Sequence, residues 1–154
     1  MDNTSEHRLN DKQTQKAVSL YRHLFWADSL RKQFESVLIR DKPELESRLR
    51  TKQIIFEPKL LESEMYMCLW FGCLYSVVEG WQNLQIEEPR IKKLLESGYK
   101  KKLFDFRNAV FHPVVYDDIR LRSLSAEGQK SVDWAKELTR EFKDFFESIL
   151  VFPS

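Results

Sequence analysis

The segment MYMCLWFGCLYSVV, residues 65–78, decides how the rest of the chain is read. Only Gly72 and Ser76 interrupt its apolar and aromatic character, and Glu64 and Glu79 flank it. As a helix it rises about 21 Å, short of the ~30 Å of hydrocarbon in a bilayer. It therefore reads as a buried helix, and no membrane partner is expected. A helix that is apolar on nearly every face either sits at the centre of its domain or also covers a partner subunit.

Outward from this segment, Pro58 marks the start of a second long helix spanning about 59–84. Leu61, Met65, Cys68, Leu69, Gly72, Tyr75 and Val78 form one stripe; Trp70, Phe71, Leu74, Val77 and Trp81 occupy other faces. Upstream, Val18, Tyr21, Leu24 (or Phe25), Ser29 or Leu30, Phe34, Val37 and Leu38 approximate helical spacing over about 15–40. Asp41-Lys42-Pro43 is expected to end that helix, because the residue before a proline avoids the helical region. Residues 44–50 fit a short charged helix. Ile54-Ile55-Phe56 fits either an apolar patch in a connection or a brief strand.

Downstream, Glu87-Glu88-Pro89 opens a short helix to about Glu96, with carboxylates at its positive end. A further helix spans about 99–111 with Leu103, Phe106 and Val110 on one face, and Pro113 stops or kinks it. Residues 114–124 read as a loop. Ser125 to Gly128 reads as a cap, and a last helix runs to about Val151 on Val132, Ala135, Leu138, Phe142, Phe145, Ile149 and Leu150. The expected fold is all-α: an antiparallel up-and-down bundle of four main helices with one or two short extra helices. A single helical domain over residues 15–152 follows a polar lead-in, residues 1–14.

Composition agrees with that reading. The chain has 154 residues, enough to bury a core without disulfide or metal staples, and only 4 Gly and 5 Pro to break helices. Its formal charge of +1 excludes bulk electrostatic attraction to nucleic acid, so any basic surface must be local. Cys68 and Cys73, five apart on a helix, diverge and read as small buried hydrophobes. His7, His23 and His112 are scattered and no Cys-x-x-Cys pair exists, so no metal and no cofactor is expected. The polar start MDNTSEHRLNDKQTQKA lacks the apolar run of a secretory signal, which makes a cytoplasmic location the expectation.

One segment carries candidate chemistry: RNAVFH, Arg107 to His112. Asn108 and His112 are four apart and share a helix face, whereas Arg107 and His112 diverge by roughly 140° on a regular helix. Histidine titrates near neutrality and serves as a general acid or base. Guanidinium offers fixed charge and paired donors that match phosphate oxygens. Together they suit metal-free RNA transesterification, in which a ribose 2′-hydroxyl attacks its neighbouring phosphate.

The segment resembles the R-x(4–6)-H motif, often Arg-Asn at its start, of HEPN (higher eukaryotes and prokaryotes nucleotide-binding) domains. Two long helices before the motif and one after it match the arrangement of that superfamily. The resemblance implies an all-α bundle, usually dimeric, with the motifs of two subunits facing one another. Many members are metal-independent ribonucleases of toxin–antitoxin or phage-defence systems; others only bind nucleotides, RNA or partners. Carried over by position, Arg107 and His112 would be catalytic, with Asn108 positioning phosphate or the facing motif. A subgroup of paired toxins has a tyrosine two residues beyond the histidine. That position here is Val114, and Tyr116 stands four beyond.

Glu79, on the apolar second helix, is a candidate to orient Arg107 or His112, with water as the simpler destination for its carboxylate. Lys92, Lys93, Lys100, Lys101 and Lys102 precede the motif and are a candidate RNA-binding rim or a solvated face. Tyr116, with Asp117 and Asp118, is a candidate to line the site from the following loop. Trp26, Trp70, Trp81 and Trp134 are expected in core or interface rather than as stacking platforms. The leading expectation is a HEPN-type, metal-independent endoribonuclease working as a homodimer, with an antitoxin protein as a further partner. The rivals are a non-catalytic HEPN-like module that binds nucleotide, RNA or a cognate protein, and an interaction protein that dimerises through its second helix.

Overall fold

A computed structural model describes residues 9–51, 58–112, 119–120, 124 and 127–150. All regular structure among them is helical: α1 (Asp11–Thr51), α2 (Pro58–Gln82), α3 (Pro89–Leu95), α4 (Tyr99–Phe111) and α5 (Gln129–Ile149). The patch at 54–56, the loop with Val114, Tyr116, Asp117 and Asp118, and residues 125–126 of the expected cap lie outside the described residues.

Helix α1 begins at Asp11, ahead of the expected start near residue 15, because Asn10 and Gln13 cap each other. The Gln13 amide donates to Asn10 Oδ1 at 2.9 Å, and the Asn10 amide donates to Gln13 Oε1 at 3.2 Å. This reciprocal pair satisfies two backbone donors that the first turn leaves open. At the other end, Pro43 does not terminate α1, which runs through it to Thr51 and absorbs the short charged helix expected at 44–50. The proline forfeits the bond to the carbonyl four residues back, that of Ile39, which lies on the solvent side. Arg40 meanwhile fastens this stretch to α2, bridging Asp41 at 2.8 Å and Glu62 at 2.7 Å.

Contacts between helices fix the topology. Gln13 Nε2 donates to the Leu84 carbonyl at 3.2 Å, Leu20 packs on Gly80, the Phe34 ring meets Trp70 at 5.9 Å and Arg40 meets Glu62. As α1 is followed forward, its partners run backward along α2, so the pair is antiparallel. The same reversal relates α1 to α5, through Tyr21–Glu147 and Glu35–Lys136. It relates α2 to α4 as well, through Phe71–Phe106 and Tyr75–Phe104. An antiparallel all-α bundle results.

The core takes one face of α2: Trp70, Phe71, Leu74, Val77, Val78 and Trp81 are buried. Trp81 meets Phe142, Phe145 and Phe146 of α5 with ring centroids 5.4, 4.9 and 6.1 Å away. Of the stripe first read from the sequence, Leu61, Met65 and Leu69 are exposed instead. Hydropathy cannot rank the faces of a helix apolar all round; the positions of α1 and α5 do. On α5 the expected stripe is the inner one, with Ala135, Leu138, Phe142 and Phe145 buried. Trp134 donates its indole N–H to the Leu94 carbonyl at 3.0 Å and stacks on Tyr99, docking α3 and the start of α4. Trp26 alone of the four tryptophans is exposed, beneath the Arg22 guanidinium. No described helix is long and apolar enough to cross a membrane.

Candidate functional site

Helix α4 has the bounds the sequence implied, Tyr99 to Phe111, and His112 caps it. The His112 backbone is extended, with φ −122° and ψ 133°, and its N–H closes the last turn on the Asn108 carbonyl at 3.1 Å. Thus the chain leaves the helix at the motif's histidine, whose ring is exposed.

Arg107 lies five residues back and is half-buried. Its Nη1 donates to Asn108 Oδ1 at 3.0 Å. Its guanidinium also lies over two rings, 5.7 Å from the Tyr75 centroid and 5.9 Å from that of Phe111. Among the described residues no carboxylate forms an ion pair with it. Among the described residues, Arg107 is therefore oriented by an amide oxygen and two π-faces, contacts that do not neutralise its positive charge.

A glycine makes this arrangement possible. A Cβ on Gly72 would stand 2.7 Å from Phe111 Cε2, so only a residue without a side chain lets the Phe111 ring lie against α2. The ring remains 52% exposed. Together with Met65 and Leu69 on α2, it adds to an apolar surface on the side of α2 turned away from the core.

Helical spacing sets Lys100, Phe104, Arg107 and Phe111 along one face of α4, alternating cation and ring. Phe104 leans on Tyr75 with centroids 5.6 Å apart. Beside them opens a cleft of about 390 Å³ lined by Tyr75, Leu95, Ser97, Lys100, Lys101 and Phe104. Burial, joined by the negative charge of Glu79, lifts the Tyr75 phenol above its ordinary pKa, against the opposing pull of Arg107. Tyr75 thus stands between the two charges.

The sequence candidates divide accordingly. Arg107, Asn108 and His112 share the end of α4. Glu79 is exposed, and among the described residues it makes no hydrogen bond or ion pair with Arg107 or His112; it reaches this patch through Tyr75. Lys100 and Lys101 line the cleft, Lys101 paired with Asp105 at 2.7 Å. Lys102 turns away to pair with Glu127 and cover the Tyr99 ring. Tyr116 lies outside the described residues. The sequence reading did not assign Tyr75, Phe104 or Phe111 to the site. The alternation of cations and rings at helical spacing along 100–111 is the signal that finds the two phenylalanines.

Among the described residues no three His, Cys, Asp or Glu side chains gather into a group that could hold a metal ion. Both cysteines are free thiols, and burial pushes Cys68 up to about 11, helped by Glu64, and raises Cys73. Such thiols are poor nucleophiles. Compared with protein-family models, with the curated proteins and with the solved structures, the chain finds no match in any of the three.

Proposed function

We propose that this chain is a HEPN-type, metal-independent endoribonuclease that works as a homodimer. The observation carrying this reading is the end of α4. An arginine held by Asn108, Tyr75 and Phe111, with no carboxylate on it among the described residues, stands five residues before an exposed histidine at the same end of α4. In the proposed reaction the ribose 2′-oxygen attacks the adjacent phosphorus and its proton passes to one His112 imidazole. The bond from phosphorus to the 5′-oxygen breaks, and the protonated His112 of the second copy protonates that oxygen. Arg107 binds the phosphoryl oxygens as negative charge builds on them, and Asn108 keeps its guanidinium in place.

Each copy contributes one such histidine, so acid and base together call for two chains. The exposed Leu69, Met65 and Phe111 beside the motif supply an apolar surface for that pairing. Leu69→Arg is expected to convert a dimer to monomer in light scattering and to lower activity with it. The resemblance also suggests a cytoplasmic toxin or phage-defence role with an antitoxin protein as partner.

A second reading, a non-catalytic module binding RNA, nucleotide or a cognate protein, draws on the same Arg107 guanidinium, which offers its charge to an anion without help from His112. Incubation with single-stranded RNA in EDTA separates the two. Cleavage that His112→Ala abolishes supports the nuclease; tight binding without cleavage supports the module.

A further inference from the structure

The cleft beside Arg107 is built of parts that the phosphate chemistry does not use. One wall is the contacting ring pair of Tyr75 and Phe104, centroids 5.6 Å apart and inclined at 52°, and Leu95, Ser97, Lys100 and Lys101 complete the lining. Phe104 is 44% exposed, so one of its ring faces is open to a ligand. Lys100 and Lys101 stand at the cleft, and among the described residues Lys100 forms no ion pair, whereas Lys101 is held by Asp105. At about 390 Å³ the space lies within the range of small-ligand sites. It is also continuous with the motif. Tyr75 is at once a cleft wall and the ring beneath the Arg107 guanidinium. From Lys100 to Phe111 the row of cation, ring, cation and ring extends about 16 Å along the helix.

Every nucleobase has a π-face, and aromatic walls next to cations are the means by which proteins hold single strands without reading sequence. A paired base cannot stack on such a ring, because its own faces are stacked within the duplex. We propose that the Tyr75–Phe104 cleft takes an unpaired nucleobase of a single-stranded RNA, with Lys100 on its phosphate, so that the strand runs on to Arg107. The substrate class is then single-stranded RNA bound with little base preference. This rests on the ribonuclease reading for its direction along α4, but not for binding itself.

The test is a titration of the full chain with a short 2′-O-methyl oligoadenylate, which lacks the attacking hydroxyl and cannot be cleaved. Wild type is expected to bind it, and Phe104→Ala to bind about tenfold more weakly, the effect of losing one stacked base. Phe104→Trp should restore affinity. Lys100→Gln should weaken binding and flatten its dependence on salt. The same strand annealed to its complement should bind no better than the single strand binds Phe104→Ala. Unchanged thermal midpoints show that the variants are folded. Wild-type affinity in Phe104→Ala, equal affinity for duplex, no binding by wild type, or AMP competing as well as the strand would each overturn the proposal. Cleavage assays on the same proteins keep the two readings apart. Binding that depends on Phe104 without any cleavage sinks the nuclease and leaves the cleft. Cleavage whose KM ignores Phe104 sinks the cleft and leaves the nuclease.

Discussion

The Arg107 guanidinium lies 5.7 Å from the centre of the Tyr75 ring, a contact that ties the motif at the end of α4 to the middle of α2. It has the geometry of a cation–π interaction, worth about 0.5–2 kcal/mol depending on solvent access. Tyr75→Ala removes the ring that aims the arginine, whereas Tyr75→Phe keeps it. We expect kcat on RNA to fall roughly tenfold for Tyr75→Ala and less than about threefold for Tyr75→Phe. Equal losses in steady-state kinetics would show that the hydroxyl, not the ring, matters.

The α1–α2 pair depends on Gly80, where Leu20 fills the space a Cβ would need. Gly80→Ala should therefore overpack the core and cost about 1–3 kcal/mol, lowering the thermal midpoint by several degrees. Gly98 offers the contrast. Nothing lies within 4 Å of a Cβ placed there, and its φ of −62° is one that alanine adopts readily. Gly98→Ala should leave the midpoint unchanged or raise it slightly, by stiffening the unfolded chain. Calorimetry on the two variants checks both.

Acid should weaken the ion pairs along α1 and the Glu35–Lys136 pair that joins α1 to α5. Burial acts to raise the Asp28 carboxyl, but hydrogen bonds from Lys32 at 2.9 Å and Arg31 at 2.8 Å outweigh it and hold the group below its usual range. Glu35 is depressed in the same way by Lys136 and by Arg31 at 2.7 Å, again against burial. A carboxyl depressed in the folded state stabilises fully above its unfolded pKa, near 4, and loses that effect as pH falls through the folded value. Stability in urea should hold down to about pH 5 and decline below 4. In Asp28→Asn the decline should be shallower.

The sequence reveals fold class and the later helices well because α5 carries a single apolar face and α4 is bracketed by Gly98 and Pro113. It misleads where two rules compete. Pro43 predicts a stop, yet α1 runs through it, giving up one hydrogen bond at the solvent-facing Ile39 carbonyl, while Arg40 beside it pairs with Glu62 of α2. The start of α1 was legible in Asn10 and Gln13, a capping box three residues apart, but their polarity makes the stretch resemble a lead-in. For α2, pattern alone cannot choose the inner face. At the site, Arg107, Asn108 and His112 stand out by residue type. Tyr75 and Phe104 do not, because an aromatic at helical spacing reads as core until the structure leaves one of its sides open.

The chemistry of the ends left on RNA tests the central claim most directly. After incubation with wild-type protein in EDTA, mass spectrometry should find 2′,3′-cyclic phosphates on the upstream fragments and 5′-hydroxyls on the downstream ones, and neither with His112→Ala. Fragments ending in 3′-hydroxyl and 5′-phosphate, or cleavage only when a divalent metal is restored, would contradict attack by the 2′-hydroxyl at the Arg107–His112 segment.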